Sequence, residues 1–160
     1  MAVTIAEESP YQDDVREMFT ELNGELFELT PPEYCYHLTV DEMARPDTTV
    51  LVAREDGTAV ACGALRRHEN HIGEVKRMYT RPEWRGRNIG GHILEAIETL
   101  ARNEKPRALV LETGDRHPAA WRLYERGGFT RCGAVLDYPD SGYSVFYEKQ
   151  LAAMALEAGA

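Results

Sequence analysis

The chain has 160 residues, of which 43% are hydrophobic and 28% are charged, as in an ordinary globular protein. This length predicts one compact domain, residues 1–160, with a core of its own. The formal net charge of −9 and the absence of a basic run argue against a nucleic-acid partner, and the absence of a long apolar run argues against a membrane span.

The N-terminal part of the chain predicts a short strand followed by a long helix. Residues 2–7 predict the strand, and Ser9 and Pro10 are typical of a helix start, as a cap and a first-turn proline. The helix is expected to continue to about Leu29, before the prolines at 31–32. Its buried stripe follows helical spacing and comprises Val15, Met18, Phe19 and Leu22.

The segment that follows ends in a hairpin. Residues 33–48 show no clear periodicity, whereas residues 50–53 and 58–65 predict two strands joined by a turn at 55–57. The tetrapeptide His-Glu-Asn-His at 68–71 could be taken for a metal site. It lacks the His-Glu-x-x-His spacing that places two imidazoles on one helical face, and it falls in a predicted turn, so we expect no metal.

The most informative stretch runs from Glu74 to Arg102. Residues 74–80 predict a strand, which Pro82 ends because its ring removes an amide donor. A helix is predicted from Ile89, where apolar residues recur at helical spacing. Between the strand and the helix lies a loop rich in glycine and arginine, residues 85–91.

The C-terminal part predicts three further strands and one short helix. In chain order these are a buried strand at 108–112, a helix between 117 and 128, and strands at 129–132 and 143–148. The tail, residues 151–160, is interpreted either as a helical appendage or as a frayed end.

The glycine-rich loop has the properties of an anion-binding cradle. Glycines let the backbone approach a ligand, and the first amides of the following helix lack partners and lie at the positive end of the helix dipole. Arg85 and Arg87 add donors suited to phosphate oxygens, so a diphosphate is the natural ligand. Walker and Rossmann loops are excluded because this loop ends in Gly-Gly-His and its glycines have the wrong spacing. The alternative is an ordinary strand-to-helix turn with solvated arginines.

Two motifs resemble the GCN5-related N-acetyltransferase (GNAT) family. The loop resembles the family's acetyl-CoA-binding pattern, Arg/Gln-x-x-Gly-x-Gly/Ala, with Arg85, Asn88 and Gly90 at the three defining places. Asn88 replaces the first glycine, and asparagine is the non-glycine residue best able to adopt a positive φ. Residues 123–129, Leu-Tyr-Glu-Arg-Gly-Gly-Phe, resemble the family's second signature, Leu-Tyr-x-x-x-Gly-Phe. The resemblance covers about residues 49–150.

The resemblance implies a fold and an activity. The fold is α/β, a mixed, mostly antiparallel sheet flanked by helices and splayed near the cofactor. The activity is acetyl transfer from acetyl-CoA to a primary amine of a small molecule or peptide, without a metal. Relatives of this kind are usually homodimers. Two alternatives stay open, namely a non-catalytic acyl-CoA sensor or interaction module, and a protein that binds ATP in the same cradle.

The resemblance also implies roles for particular residues. Glu74 lies eleven positions before Arg85, where histone-type members place their general base. Its alternative role is a structural ion pair with Lys76 or another cation, and some family members deprotonate the amine through a water chain instead. Tyr124 matches the tyrosine that acts as general acid; its alternative is a core aromatic. A backbone amide near Met78 is expected to bind the oxyanion. The cofactor-binding residues implied are Met78, Tyr79, Thr80, Arg85, Gly86, Arg87, Asn88, Ile89, Gly90, Gly91 and His117.

His117 stands where family members often carry an asparagine that contacts the cofactor. Its alternative role is that of a surface residue near a helix cap.

The three cysteines are odd in number and widely spaced, which favours reduced thiols, and the N-terminus lacks a signal peptide's apolar region. We therefore expect a cytoplasmic protein. No cysteine lies in a recognisable nucleophile setting, so direct transfer is preferred.

Overall fold

The structure, a computed structural model, describes residues 2–151. Four α-helices occur in this part of the chain: α1 (Asp13–Leu29), the single turn α2 (Val40–Met43), α3 (Ile89–Asn103) and α4 (Pro118–Arg126). The strands are β1 (Val3–Glu7), β2 (Thr48–Glu55), β3 (Thr58–His68), β4 (Ile72–Thr80), β5 (Ala108–Gly114), β6 (Thr130–Cys132) and β7 (Ser144–Gln150). The tail for which two interpretations were offered, residues 151–160, lies outside the described part except for its first residue, Leu151.

The strands form one seven-stranded sheet in the order β1-β2-β3-β4-β5-β7-β6. All neighbours are antiparallel except β4 and β5, which are parallel. This confirms the predicted mixed, mostly antiparallel sheet flanked by helices. None of the helices within residues 2–151 is both long and apolar enough to cross a membrane.

The parallel pair opens a gap in the sheet. β4 and β5 are paired only where Ile72, Gly73 and Glu74 meet residues 108–110. Beyond Glu74 the two strands continue without pairing to each other, although β5 stays paired with β7 along its whole length. The splayed ends therefore leave space between two strands of one sheet, and the candidate site uses this space.

A β-bulge lies in β4 beside the gap. Cys62 pairs with Tyr79 and Ala64 pairs with Lys76, so that Arg77 and Met78 stand opposite the single residue Gly63. Arg77 accordingly has a φ of 58°. A Cβ on Gly63 would lie 2.6 Å from Met78 Sδ, so the bulged segment packs directly against glycine backbone. Because an extra residue interrupts the ladder, a bulge re-aims side chains and backbone groups at this point.

The core lies on both faces of the sheet. One cluster packs beneath α3 and α4 and includes Val60, Leu65, Ile93, Ile97, Leu109, Leu111 and Tyr147. The other packs beneath α1 and α2 and includes Val15, Met18, Phe19, Leu22, Met43, Val50 and Val52. The stripe predicted for α1 is thus buried as expected from its spacing.

The start of α1 was predicted wrongly. Ser9 and Pro10 do not open the helix, which begins at Asp13 with Gln12 in the cap position. The Ser9 hydroxyl instead accepts a hydrogen bond from the amide of Tyr11 at 3.1 Å. Serine offers this local turn as an alternative to a helix cap, and here the turn is formed.

The segment for which no periodicity was found contains α2. Its Thr39 hydroxyl accepts from the amide of Glu42 at 3.1 Å, and the Glu42 carboxylate accepts from the amide of Thr39 at 3.0 Å. This reciprocal arrangement is a capping box, whose Thr-x-x-Glu spacing was visible in the sequence.

Candidate active site

The loop between β4 and α3 forms a cradle of open backbone amides. Asn88 has φ 59° and ψ 25°, so the left-handed conformation expected of it is confirmed, and Gly86 has φ 85°. The first hydrogen bond back from α3 runs from the amide of His92 to the carbonyl of Asn88 at 3.1 Å. The amides of residues 89–91 therefore have no backbone acceptor among the described residues, and the helix dipole favours an anion beside them.

A cavity of about 480 Å³ extends from these amides to α4, and we call it the cradle cavity. A Cβ on Gly90 would stand 3.6 Å from both Thr80 Oγ1 and Leu123 Cδ2, so it would occupy space between β4 and α4. All of the cofactor-binding residues implied by the sequence line this cavity except Arg87 and His117, and Tyr124 lines it as well.

The two arginines of the loop are paired with carboxylates. Arg85 donates to Glu25 of α1 at 2.8 Å and to the carbonyl of Thr80 at 2.8 Å. Arg87 donates to Glu55 at 3.1 Å and lies outside the lining of the cradle cavity. Both arginine side chains are about half exposed, so these pairs are weak and a diphosphate can exchange with the carboxylates.

Tyr124 lies where two cavities meet. It lines the cradle cavity and a second cavity of about 100 Å³, the middle cavity, which occupies the gap between residues 75–78 of β4 and 112–114 of β5. Its hydroxyl makes no hydrogen bond within residues 2–151. Burial, helped by the negative charge of Glu112, raises the pKa of Tyr124, so this hydroxyl keeps its proton at neutral pH.

Glu74 is fully buried and lies at the centre of a hydrogen-bonded cluster. Its carboxylate accepts from His68 Nε2 at 2.8 Å and from the Tyr138 hydroxyl at 2.5 Å, and Lys76 Nζ lies 3.5 Å away. Burial alone would raise the pKa of Glu74, but His68, Lys76 and Tyr138 together lower it below its ordinary value. Glu74 is therefore a carboxylate at neutral pH. The ion pair with Lys76, which was the alternative to a catalytic role, is present.

Glu74 does not share a cavity with Tyr124. It lines a third cavity of about 830 Å³, the outer cavity, together with His68, Lys76 and Tyr138. The outer and middle cavities have Tyr36, His37 and Lys76 in common, so they adjoin along the wall formed by these side chains.

Glu112 is a second carboxylate at the gap, and the sequence reading missed it as a site residue. One of its oxygens accepts from the Ser144 hydroxyl at 2.7 Å, and the other has no partner within the described chain. Burial raises the pKa of Glu112, and the charge of Glu74 acts in the same direction. Glu112 lines the middle cavity with Tyr124. The sequence feature that could have identified Glu112 is its position as a carboxylate at the end of an otherwise apolar strand, residues 108–112.

His117 faces the middle cavity. Its backbone takes the cap position of α4, where its carbonyl accepts from the amides of Ala120 and Trp121 at 3.0 and 3.1 Å. Its ring packs against Gly114, where a Cβ would lie 2.3 Å from His117 Cδ2. The ring Nε2 is buried without a partner in the described part of the chain, and burial lowers the pKa of His117.

The segment considered as a metal site forms a tight turn, and His68 is engaged with Glu74. Within residues 2–151 no group of three or more His, Cys, Asp or Glu side chains is placed to hold a metal ion.

We predict that the backbone conformation of Asn88, and not its side chain, is what this position requires. Asn88→Ala should lower the free energy of unfolding by about 1–2 kcal/mol relative to Asn88→Gly, because only a residue with a Cβ is strained at this φ. Both variants lose the amide that packs against Gly91, so the difference between them isolates the backbone. Urea unfolding measures it, and equal midpoints for the two variants would contradict the prediction.

Comparisons with known proteins identify the family. Residues 13–129 match the model of the acetyltransferase (GNAT) family. The IAA acetyltransferase of Azospirillum brasilense is 43% identical over 150 residues, which cover 93% of this chain and 98% of that protein. The crystal structure of a proposed acyl-CoA N-acyltransferase from Klebsiella pneumoniae superposes with a TM-score of 0.81 at 32% identity, covering 93% of this chain and 97% of that one.

A more distant structure contains the expected ligand. The PaiA N-acetyltransferase of Thermoplasma acidophilum, determined in complex with coenzyme A, has a TM-score of 0.70 at 17% identity, covering 94% of this chain and all of that one (100%). At this identity the likeness concerns the fold. The family match and the more similar relatives show that the chain belongs to the GNAT family and is an acetyl-CoA-dependent N-acetyltransferase.

Proposed function

We propose that the protein transfers the acetyl group of acetyl-CoA directly to the primary amine of a small molecule. The observation that carries this proposal is the position of Tyr124, whose buried, protonated side chain separates a cradle for the cofactor from a cavity that contains a carboxylate. The first cavity suits a diphosphate and its thioester arm, and the second suits an amine.

The cradle residues fit coenzyme A. We assign the diphosphate to the amides of residues 89–91, with Arg85 and Arg87 as exchangeable side-chain donors. The pantetheine arm would follow the backbone of residues 78–80 along the cradle cavity, where Gly90 leaves room that a Cβ would fill. His117 lines the middle cavity, so its contact with the cofactor would be at the thioester end of the arm.

The acceptor amine has to lose a proton before it attacks, because an alkylamine with a pKa near ~10 is mostly protonated at neutral pH. Two carboxylates are candidates for the general base. Glu74 occupies the place expected from the family, but three donors already surround its carboxylate. Glu112 has a free oxygen and a raised pKa, and it shares a cavity with Tyr124. We propose that Glu112 takes the proton directly, with Glu74 as the alternative base.

The remaining steps concern the tetrahedral intermediate. The amine nitrogen bonds to the thioester carbon, and the oxyanion would accept from the backbone amide of Met78 in the bulge, a type of contact that contributes about 3–4 kcal/mol. The carbon–sulfur bond then breaks. Tyr124 would give its proton to the departing thiolate, whose conjugate thiol has a pKa of about 8.5. The nitrogen, which is positively charged after the attack, would pass its surplus proton to Tyr124, and Glu112 would release to solvent the proton that it took.

Direct transfer is supported by the state of the cysteines. Burial raises the pKa of Cys62 to about 12, and burial also raises the pKa of Cys35 and Cys132. Thiols of this kind are poorly ionised at neutral pH and are weak nucleophiles.

The experiment follows thiol release from acetyl-CoA with a panel of alkylamines, amino acids and peptide amino termini, and measures coenzyme A binding by calorimetry. We expect release that depends on the acceptor. Tight coenzyme A binding without release for any acceptor would instead show a sensor. ATP binding that coenzyme A does not displace would show a nucleotide-binding protein.

A further inference from the structure

We propose that the acceptor is an amino acid, and that Arg77 binds its carboxylate in the middle cavity. The inference rests on the proposed function, because it specifies the class of amine that is acetylated.

Arg77 is a buried cation without an anion. Within residues 2–151 only two charged side chains are buried, Glu74 at 1% exposure and Arg77 at 7%. Glu74 is surrounded by donors, whereas no carboxylate of the described chain forms an ion pair with Arg77. Burying an ion without a counter-charge is unfavourable by several kcal/mol. Burial lowers the pKa of Arg77 to about 10, because the buried site disfavours the charged form.

The hydrogen bonds of Arg77 leave part of its guanidinium unused. Nη2 donates to the carbonyl of Phe19 and to the side-chain oxygen of Asn23, both on α1. Nε is buried without a partner, and Nη1 makes no hydrogen bond to any described residue. Buried polar groups are nearly always satisfied. Arg81 also has a buried Nε without a partner among the described residues, but Arg81 is paired with Glu17 and Glu21, so the absence of an anion is what distinguishes Arg77. Arg77 lines the middle cavity, where a ligand can supply the missing acceptor.

Two imidazoles in the same cavity also lack partners. The Nε2 atoms of His37 and His117 are buried without a hydrogen bond in the described structure. Burial, with the charges of Arg77 and Lys76, lowers the pKa of His37 to about 4, and burial lowers the pKa of His117. Both rings are therefore neutral at pH 7 and can each donate one N–H. Three residues that line one small cavity thus each carry a buried nitrogen atom without a hydrogen-bond partner among the described residues.

Glu112 supplies the complementary charge on the opposite wall. Glu112 and Arg77 line the same cavity and do not pair with each other within the described chain. A molecule that carries a carboxylate and an amine a few bonds apart satisfies both walls, with the amine beside Glu112 and Tyr124. A simple alkylamine would leave Arg77 unpaired. The adjoining outer cavity, of about 830 Å³, offers room for the side chain of such an acceptor.

The test compares each free amino acid of a panel with its amide and with the corresponding decarboxylated amine. We expect kcat/KM for the best amino acid to exceed that of its amide by about 10-fold to 100-fold, as for hydrogen bonds to charged groups. Arg77→Gln should reduce this ratio to near one, and Arg77→Lys should retain part of it. Arg81→Gln is the matched control: Arg81 is also largely buried but lies 3.5 Å from Glu21, and its loss should leave the ratio unchanged.

A second measurement does not depend on a folded Arg77 variant. Propionate, a carboxylate without an amine, should inhibit the wild-type protein competitively against the acceptor and not against acetyl-CoA. Equal kcat/KM for acids and amides, or no inhibition by propionate, would overturn the inference while leaving amine acetylation intact. If no amine at all is acetylated although coenzyme A binds, the proposed function itself fails.

Discussion

Tyr124→Phe is expected to lower kcat by about 10²-fold or more, the range for loss of a general acid, with little change in the KM for acetyl-CoA. The substitution removes only the hydroxyl, which makes no hydrogen bond within residues 2–151, so the fold should be retained. The ring still packs against Phe129 and Tyr147. Steady-state kinetics with thiol detection provides the measurement.

Tyr147→Phe is the matched control for that prediction. Tyr147 is a neighbouring buried tyrosine whose hydroxyl donates to Glu125 at 2.7 Å and which lines none of the three cavities. Its loss should reduce stability by about 1 kcal/mol, a typical hydrogen bond, and leave kcat unchanged. Wild-type kcat in Tyr124→Phe would refute the general-acid role. Equal losses of kcat in both variants would point to packing.

Glu112→Gln is expected to lower kcat/KM by about 10²-fold to 10⁴-fold, the range for general-base catalysis. The pH profile identifies the base because the two carboxylates are shifted in opposite directions. A base works only when deprotonated, so activity falls as the pH drops through its pKa. The pKa of Glu112 is raised above its ordinary 4.5, and the pKa of Glu74 is lowered below it. The measured kcat/KM is first corrected for the fraction of the amine that is neutral at each pH. If Glu112 is the base, the corrected kcat/KM falls to half of its maximum at a pH above 4.5.

Glu74→Gln separates the structural role of the second carboxylate from catalysis. It leaves Lys76 without its counter-charge in a buried cluster, and breaking such a pair typically costs about 3–5 kcal/mol of stability. We therefore expect a lower urea midpoint, with kcat/KM of the folded protein changed far less than in Glu112→Gln. An acid limb below pH 4.5 that disappears in Glu74→Gln, with full activity in Glu112→Gln, would show that Glu74 is the base.

The sequence by itself determined the local structure on which the cofactor cradle depends. The strand at 74–80, the helix from Ile89 and the positive φ at Asn88 follow from side-chain shape, proline chemistry and backbone sterics, all of which act over a few residues. Most of the residues predicted from the sequence to bind the cofactor therefore line one cavity. The wrong prediction that α1 starts at Ser9 also has a local cause, because a serine hydroxyl can close a turn as readily as it caps a helix.

The acceptor side was decided only by the tertiary structure. The gap exists because β4 and β5 pair over three residues and then separate, and no periodicity in either strand announces that separation. It brings Arg77 and Glu112, 35 positions apart in the sequence, to opposite walls of one cavity. Burial then shifts the pKa of Glu112 upward, while the donors around Glu74 shift its pKa downward. Residue type alone cannot distinguish two glutamates, because their chemistry depends on what the fold places around each of them.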